Sequence, residues 1–509
     1  MSSAMIQQII AFVIYLGLMI YIGISFMSNN KSSEDFFLGG RNIGPWTTAL
    51  SAEASDMSGW MLMGLPGLAY LGGMKEAFWT ALGLLIGTYL NWLIVAKRLR
   101  KYSVVCNNSI TIPQFLTNRF KDTKHIISII SAVFIIFFFV IYTASGFVAC
   151  AKLLQSVFNL PYICGIILSM VIILLYTLLG GFSAVCTTDF IQGTLMFVAI
   201  IITGVVVSVK LGGPVEAIKQ VGEFTQNALN GQLGEEIQAS IAKNQNYGAM
   251  SIISALAWGL GYFGMPHILV RFMGIRSNKE IKVARRVAMI WVTIALLVAV
   301  FVGAIGTSYL LQDGIVLAGG ASETVVIKSF MKTFPAFIAG IFLCAVLAAA
   351  MSTADSQLLV AASAFTEDFF QNISKKKVEA KKVVWISRAA VLVVALIAFV
   401  IALDNNASVM GLVSYAWAGF GATFGPLVLL ALFWKKTTAR GAIAGIIAGG
   451  IAVVLWHNLS GGIWNLYEII PGFVFCLLAA IIVSLIKPNE NAEIEDEWNK
   501  YQESLKVED

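Results

Sequence analysis

Leu50-Ser-Ala-Glu-Ala-Ser-Asp-Met-Ser-Gly-Trp-Met-Leu-Met-Gly-Leu-Pro-Gly67 sets Glu53 and Asp56, three serines, three glycines and a proline in a stretch otherwise apolar enough for a membrane helix. An acidic residue at the centre of such a helix costs roughly 2.5 to 3.5 kcal/mol, so two of them must face a cavity, a partner or an ion rather than lipid. Gly59, Gly64, Pro66 and Gly67 add a second signal. Irregular backbone at membrane depth survives only where it lines a site or is buried in protein.

Outward from this segment the composition sets the class. The chain is 58% hydrophobic and 12% charged, against about 25% charged in soluble domains. Its mean hydropathy is +0.82. Apolar stretches of about 20 residues, enough to cross roughly 30 Å of hydrocarbon, recur along nearly the whole length and leave no room for a sizeable soluble domain. The fold predicted is an all-α polytopic membrane protein whose partner is the lipid bilayer.

The net charge of +6 is distributed in short loops: Lys97, Arg98, Arg100 and Lys101; Arg276, Lys279, Lys282, Arg285 and Arg286; Lys375 to Lys377 with Lys381 and Lys382; Lys435, Lys436 and Arg440. Loops such as 404–408 lack basic residues, and this alternation is the positive-inside pattern rather than a nucleic-acid surface. Six scattered cysteines have no metal-ligand spacing and read as small packing residues. About thirteen spans are predicted, with the N-terminus outside and the C-terminus in the cytoplasm of a multi-pass cell-membrane protein. The first span lacks a small-residue cleavage site before Ser28-Asn-Asn and reads as a retained helix. The segment 212–248 predicts a surface helix, 112–120 a short amphipathic helix on the membrane face, and the charged tail from Asn489 a solvated helix or disorder.

A second interrupted span answers the first. Residues 257–266 hold three glycines and Pro266, with His267 and Arg271 following. Paired Gly/Pro-interrupted spans in corresponding places of two halves point to a secondary transporter whose site lies at a repeat interface. The halves predicted are 44–211 and 249–434, five spans each and of opposite topology, with a leading segment 1–43, an external loop 212–248, two trailing helices in 435–487 and a tail 488–509. The third stretch, Ala348 to Ser356, carries adjacent hydroxyls at Ser352 and Thr353 among small residues. These suit either close helix packing or a hard cation that accepts neutral oxygen ligands.

Ser51 to Trp60, Leu38-Gly-Gly-Arg41, Tyr262 to His267 and Met351-Ser-Thr353 together resemble the sodium/solute symporter family over about residues 10 to 490. The resemblance implies a five-plus-five inverted repeat with one leading and two trailing helices, and sodium-coupled uptake of L-proline by alternating access, with one co-transported sodium ion and no organic cofactor. It implies sodium ligation by the backbone carbonyls of Ala54, Met57 and Ala349 and the hydroxyls of Ser352 and Thr353. Asp56 then favours cation binding, and Ser58 and Gly59 lie where ion and substrate meet. Asp189 aligns with a carboxylate on the ion's inward path, although a plain acid at a helix N-terminus remains an alternative.

For substrate, Trp258 and Tyr262 are spaced i,i+4 and predict one helix face, aromatic walls suited to a pyrrolidine ring and a secondary ammonium. Pro266 keeps the break open, and the resemblance adds Tyr142 from another helix. Two positions depart from the family pattern: Glu53 stands where a glycine is expected and Met265 where a glutamine is expected. The alternatives carried forward are a symporter coupled to protons or moving another small solute, a channel, a sensor and, weakest, a membrane enzyme. The three histidines, His125, His267 and His457, lie far apart, and no nucleophile elbow or phosphate loop occurs. No obligate protein partner is evident.

Overall fold

The computed structural model describes residues 2–26, 32–72, 74–245, 247–374, 380–488 and 492–507. Ser28-Asn-Asn, Lys375 to Lys377 and Asn489 lie outside them. The regular structure of the described residues is helical, with one isolated parallel bridge between Ile43 and Ile275. Among the described residues ten helices are long and apolar enough to cross a membrane, or up to eleven when the bent pair Ala249–Phe263 and Pro266–Gly274 is one span. Length and apolarity thus do not reproduce the count of thirteen. The shortfall falls where the backbone breaks: Pro45–Asp56 is separated from Trp60–Gly72, and Tyr162–Leu175 is cut from Gly181–Lys210 by a left-handed Gly181 at φ 66°.

The outer faces carry exposed Val13, Tyr21, Val205, Ile290, Val400 and Ile482, an inside-out polarity that hydrocarbon tolerates and water does not. Between helices small residues set the distance. Gly441, Gly445 and Gly449 recur every fourth residue on Ala439–His457, and a Cβ on each would fall within 2.0–3.1 Å of Ile469–Ile486 or Ala422. Such close approach supplies the dispersion contacts that hold helices together in lipid.

Three peripheral expectations change. Ile112–Phe120 does not lie on the membrane face: Pro113, Phe115, Leu116, Arg119 and Phe120 are buried within the protein. Segment 212–248 forms two helices, Pro214–Leu229 and Glu235–Gln245, and Phe224 packs edge-on against Tyr70 at 5.9 Å. The tail helix Ala492–Lys506 is docked rather than solvated. Tyr501 stacks on Tyr102 at 4.0 Å, Arg119 lies over the Trp498 ring, Lys121 pairs with Glu497, and Lys101 donates to the carbonyls of Ser504 and Val507. Its charged composition conceals a stripe of Ile494, Trp498 and Tyr501 at helical spacing, which is what docks.

Candidate site for ion and substrate

Pro45 at the first turn starts the first interrupted helix, and the helix stops at Asp56 because Met57 leaves the helical region at φ −76°, ψ 66°. The turn is held by Ser58 N–H donating to Asp56 C=O at 2.8 Å and by the Trp60 indole donating to the same carbonyl at 2.9 Å. Residue 59 must be small, since a Cβ there would sit 2.8 Å from that of Ala149. The Trp60–Gly64 turn is a wide π-type turn, a distortion that recurs at functional sites.

The second interruption is built differently. Ala257–Phe263 tightens to a 3₁₀-helix, Met265 is extended at ψ 106°, Pro266 restarts the helix at its first position, and the two pieces meet at 44°. Its glycines are forced by packing: a Cβ on Gly259 would lie 2.4 Å from the carbonyl of Gly83, and one on Gly261 1.9 Å from the Trp417 indole nitrogen. The 3₁₀ geometry also corrects the expectation for the aromatics. At three residues per turn, positions i and i+4 no longer share a face.

Accordingly Trp258 and Tyr262 diverge. Trp258 stacks near Tyr467 at 5.4 Å and Trp417 at 6.3 Å, and lines a cavity of about 760 Å³ with Glu76, Lys243, Tyr247 and Ser414. Tyr262 does not line that cavity; it meets the same Trp417 edge-on at 5.1 Å and donates to Asp56 Oδ2 at 2.6 Å. Tyr142, buried on Ile126–Phe158, reaches the Asp56 carbonyl at 3.4 Å, so both tyrosines converge on one residue. Ser58 accepts from Trp60 N–H at 3.4 Å, and Met265 is wholly buried with its carbonyl accepting from Leu269 N–H at 3.0 Å.

Ala336–Phe370 crosses the first break. Ser352 Oγ donates to the Ala54 carbonyl at 2.8 Å and lies 3.3 Å from the Ala349 carbonyl, so three of the five sodium-ligand candidates meet directly. Met57 sits buried in the turn three residues past Ala54, and Thr353 follows Ser352. Thr353 Oγ1 and Asp56 Oδ1 are buried without a hydrogen-bond partner among the described residues. Buried oxygens are rarely left so, and a cluster of them beside backbone carbonyls suits a small hard cation.

Asp189 lies inside Gly181–Lys210 rather than at its start, which removes the reading as a helix N-terminal acid. It pairs with Arg271 at 3.0 Å and accepts from Ser51 Oγ at 2.7 Å, while Arg271 also donates to Ser51 at 3.0 Å and Ser356 at 2.6 Å. The network joins both interrupted segments to Ala336–Phe370. The signal for Arg271 in the sequence is its place as a lone arginine in an apolar stretch, which demands a buried partner. Glu53 makes one bond, accepting from the Trp92 indole at 3.1 Å, and no basic side chain pairs with it among the described residues. The Leu38–Arg41 motif closes one end: Arg41 donates to the Met273 and Ser109 carbonyls at 2.8 Å each, beside the Ile43–Ile275 bridge. Burial and the neighbouring Arg100 lower its guanidinium to about 10, still cationic at neutral pH.

A family model described as the sodium:solute symporter family matches residues 36–449. A sodium/proline symporter of Salmonella typhimurium is 43% identical over 496 residues, covering 97% of this chain and 96% of that protein. The high-affinity proline transporter PutP of Bacillus subtilis is 42% identical, covering 96% of this chain and 100% of that one. Among solved structures, a substrate-bound, outward-open sodium-coupled sialic acid symporter superposes with a TM-score of 0.75 at 20% identity, over 95% of this chain and 99% of that one, which places the two in one fold. MhsT in complex with L-phenylalanine gives a TM-score of 0.51 at 14% identity, over 86% and 97% of the two chains. With a family model spanning most of its length and near-full-length relatives above 40% identity, this multi-pass membrane chain belongs to the sodium:solute symporter family, whose members are transport proteins rather than enzymes.

Proposed function

We propose that the protein carries L-proline into the cell by sodium symport, as the names of its relatives suggest. The observation that carries the reading is the meeting of Ser352 with the Ala54 and Ala349 carbonyls, beside the unpartnered oxygens of Thr353 and Asp56. Sodium is held by the carbonyls of Ala54, Met57 and Ala349 and the hydroxyls of Ser352 and Thr353. Asp56 couples that site to substrate through the Tyr262 phenol. Ser58, Gly59, Tyr142, Tyr262 and Pro266 frame the substrate, Met265 tunes its fit from behind, and Trp258 contributes from the wall of the 760 Å³ cavity. Asp189, with Arg271, lies on the ion's way to the cytoplasm.

The architecture behind this is an inverted repeat of 44–211 and 249–434 in the cell membrane, with the N-terminus outside and the C-terminus in the cytoplasm. Sodium bound from outside stabilises the outward-open state and completes the pocket, and substrate then favours closure and inward opening. A membrane potential of about 100 mV with a tenfold sodium gradient supplies about 3.7 kcal/mol per ion, enough for several-hundredfold accumulation. The test is uptake of labelled proline into proteoliposomes, with and without a sodium gradient, and with competition by other amino acids and small solutes. Sodium-driven uptake displaced best by unlabelled proline is the expected result. Uptake indifferent to sodium would remove the coupling, and displacement by another solute would move the substrate.

A further inference from the structure

Away from the transport site a cavity of about 380 Å³, large enough for a small ligand or a lipid head group, is lined from two spans and carries one sign of charge. Lys97 comes from Met74–Val105, while Lys279, Lys282 and Arg285 come from the approach to Ile281–Leu311 and its first turns. No Asp or Glu lines it. The neighbouring acid, Glu280, is taken by Arg276, and none of the four cations pairs with a carboxylate among the described residues. Like charges gathered around one hollow repel, and an anion held between them turns that repulsion into attraction.

Two further features serve the same hollow. Ile281–Leu311 begins at it without a side-chain cap, so the positive end of the helix dipole adds to the field of the cations. Asn278, also in the lining, has a buried Oδ1 with no hydrogen-bond partner among the described residues, and a buried acceptor of this kind calls for a donor. The occupant that fits is an anion carrying a hydroxyl.

The surroundings decide where such an anion comes from. About 35 Å of helix separates Met74 from Lys97, which sets Lys97 just past a hydrocarbon core of about 30 Å. On the membrane side of it the same span exposes Ile86, Leu90 and Leu93, and Leu93 also lines the cavity; Ile281–Leu311 exposes Ile290, Ile294 and Leu297. The basic hollow therefore runs into an apolar, lipid-facing surface. A soluble phosphate would use only the first, and a lipid uses both. We propose that the cavity holds the head group of one anionic glycerophospholipid, its phosphodiester among Lys97, Lys279, Lys282 and Arg285, a head-group hydroxyl on Asn278, and its acyl chains along the surfaces at 86–93 and 290–297. The assignment goes beyond the transport reading and does not depend on which ion or solute is carried. Trp92 lines the cavity as well and donates to Glu53 at 3.1 Å, so the bound lipid abuts a side chain that holds the first interrupted helix.

The test is native mass spectrometry of the purified, full-length protein titrated with dioleoylphosphatidylglycerol or dioleoylphosphatidylcholine, which share acyl chains and differ in head-group charge. Wild type holds one phosphatidylglycerol at least about tenfold more tightly than phosphatidylcholine. Lys282→Gln combined with Arg285→Gln brings the two lipids within about twofold of each other. Lys436→Gln combined with Arg440→Gln removes two exposed cations from another basic loop and leaves the preference intact. Added glycerol 3-phosphate does not displace the lipid. Equal binding of the two lipids by wild type overturns the site, a result that needs no variant to fold. An equal loss of preference in both double variants, each with an unchanged elution profile, reduces the effect to general basicity and overturns it as well. Displacement by glycerol 3-phosphate overturns the lipid assignment in favour of a soluble phosphate.

Discussion

The break at Met57–Gly59 keeps two carboxylates beside it and follows the Ala54 carbonyl that meets Ser352, whereas the break at Gly264–Met265 carries no acid and contributes rings, a proline restart and Arg271. The first is held open by hydrogen bonds from its own sequence, chiefly the Trp60 indole to the Asp56 carbonyl. The second is squeezed into shape by its neighbours, because Gly259, Gly261 and Gly264 each abut another backbone or a tryptophan at distances no Cβ could occupy. The difference teaches that an interrupted membrane helix can be built for charge or for proximity. The bond from Tyr262 to Asp56 is where the two kinds meet.

The largest effect is expected where proximity is violated. Gly261→Val should cost about 3 kcal/mol or more through overpacking against Trp417, seen as a lower Tm and loss of monodisperse protein. Next, Asp56→Asn should weaken apparent sodium affinity by roughly 10- to 100-fold while the protein remains folded, measured as the sodium dependence of uptake. Retention of full affinity would take the charge out of the first break's purpose. Ser352→Ala and Thr353→Ala should each weaken sodium activation by about tenfold, because each removes one oxygen ligand.

The sharpest use of the comparison pairs two aromatic variants. Tyr262→Phe should lower sodium affinity by about fivefold, since it removes the donor to Asp56, whereas Trp258→Phe should raise the KM for substrate by a few-fold with little change in sodium activation. Equal sodium shifts from both would mean that the 3₁₀ segment does not separate the two rings' tasks.

Much of the site was readable in the chain. Glu53 and Asp56 had to be enclosed because lipid does not tolerate them, and the adjacent hydroxyls of Ser352 and Thr353 stood out as polar groups that the fold buries. What escaped was whatever depended on helical pitch or on a partner far along the chain. Trp258 and Tyr262 parted because the local helix is tighter than an α-helix, and no periodicity argument on an assumed α pitch could foresee that. Arg271 could be seen as anomalous, but its partners Asp189, Ser51 and Ser356 come from three separate segments. The tail misled because its charges dominate its composition while three spaced apolar residues decide its docking.

The sequence by itself determined that this is a helical membrane protein with two broken spans and a charged first break, because hydrophobic length and the cost of burying charge are local properties of the chain. Tertiary structure alone decided which polar groups face one another: Ser352 against Ala54, Tyr262 against Asp56, and Trp92 against Glu53 are contacts between residues 39 to 298 positions apart. Ligand sets and ion pairs are properties of such meetings, fixed by how closely the glycines let the helices approach.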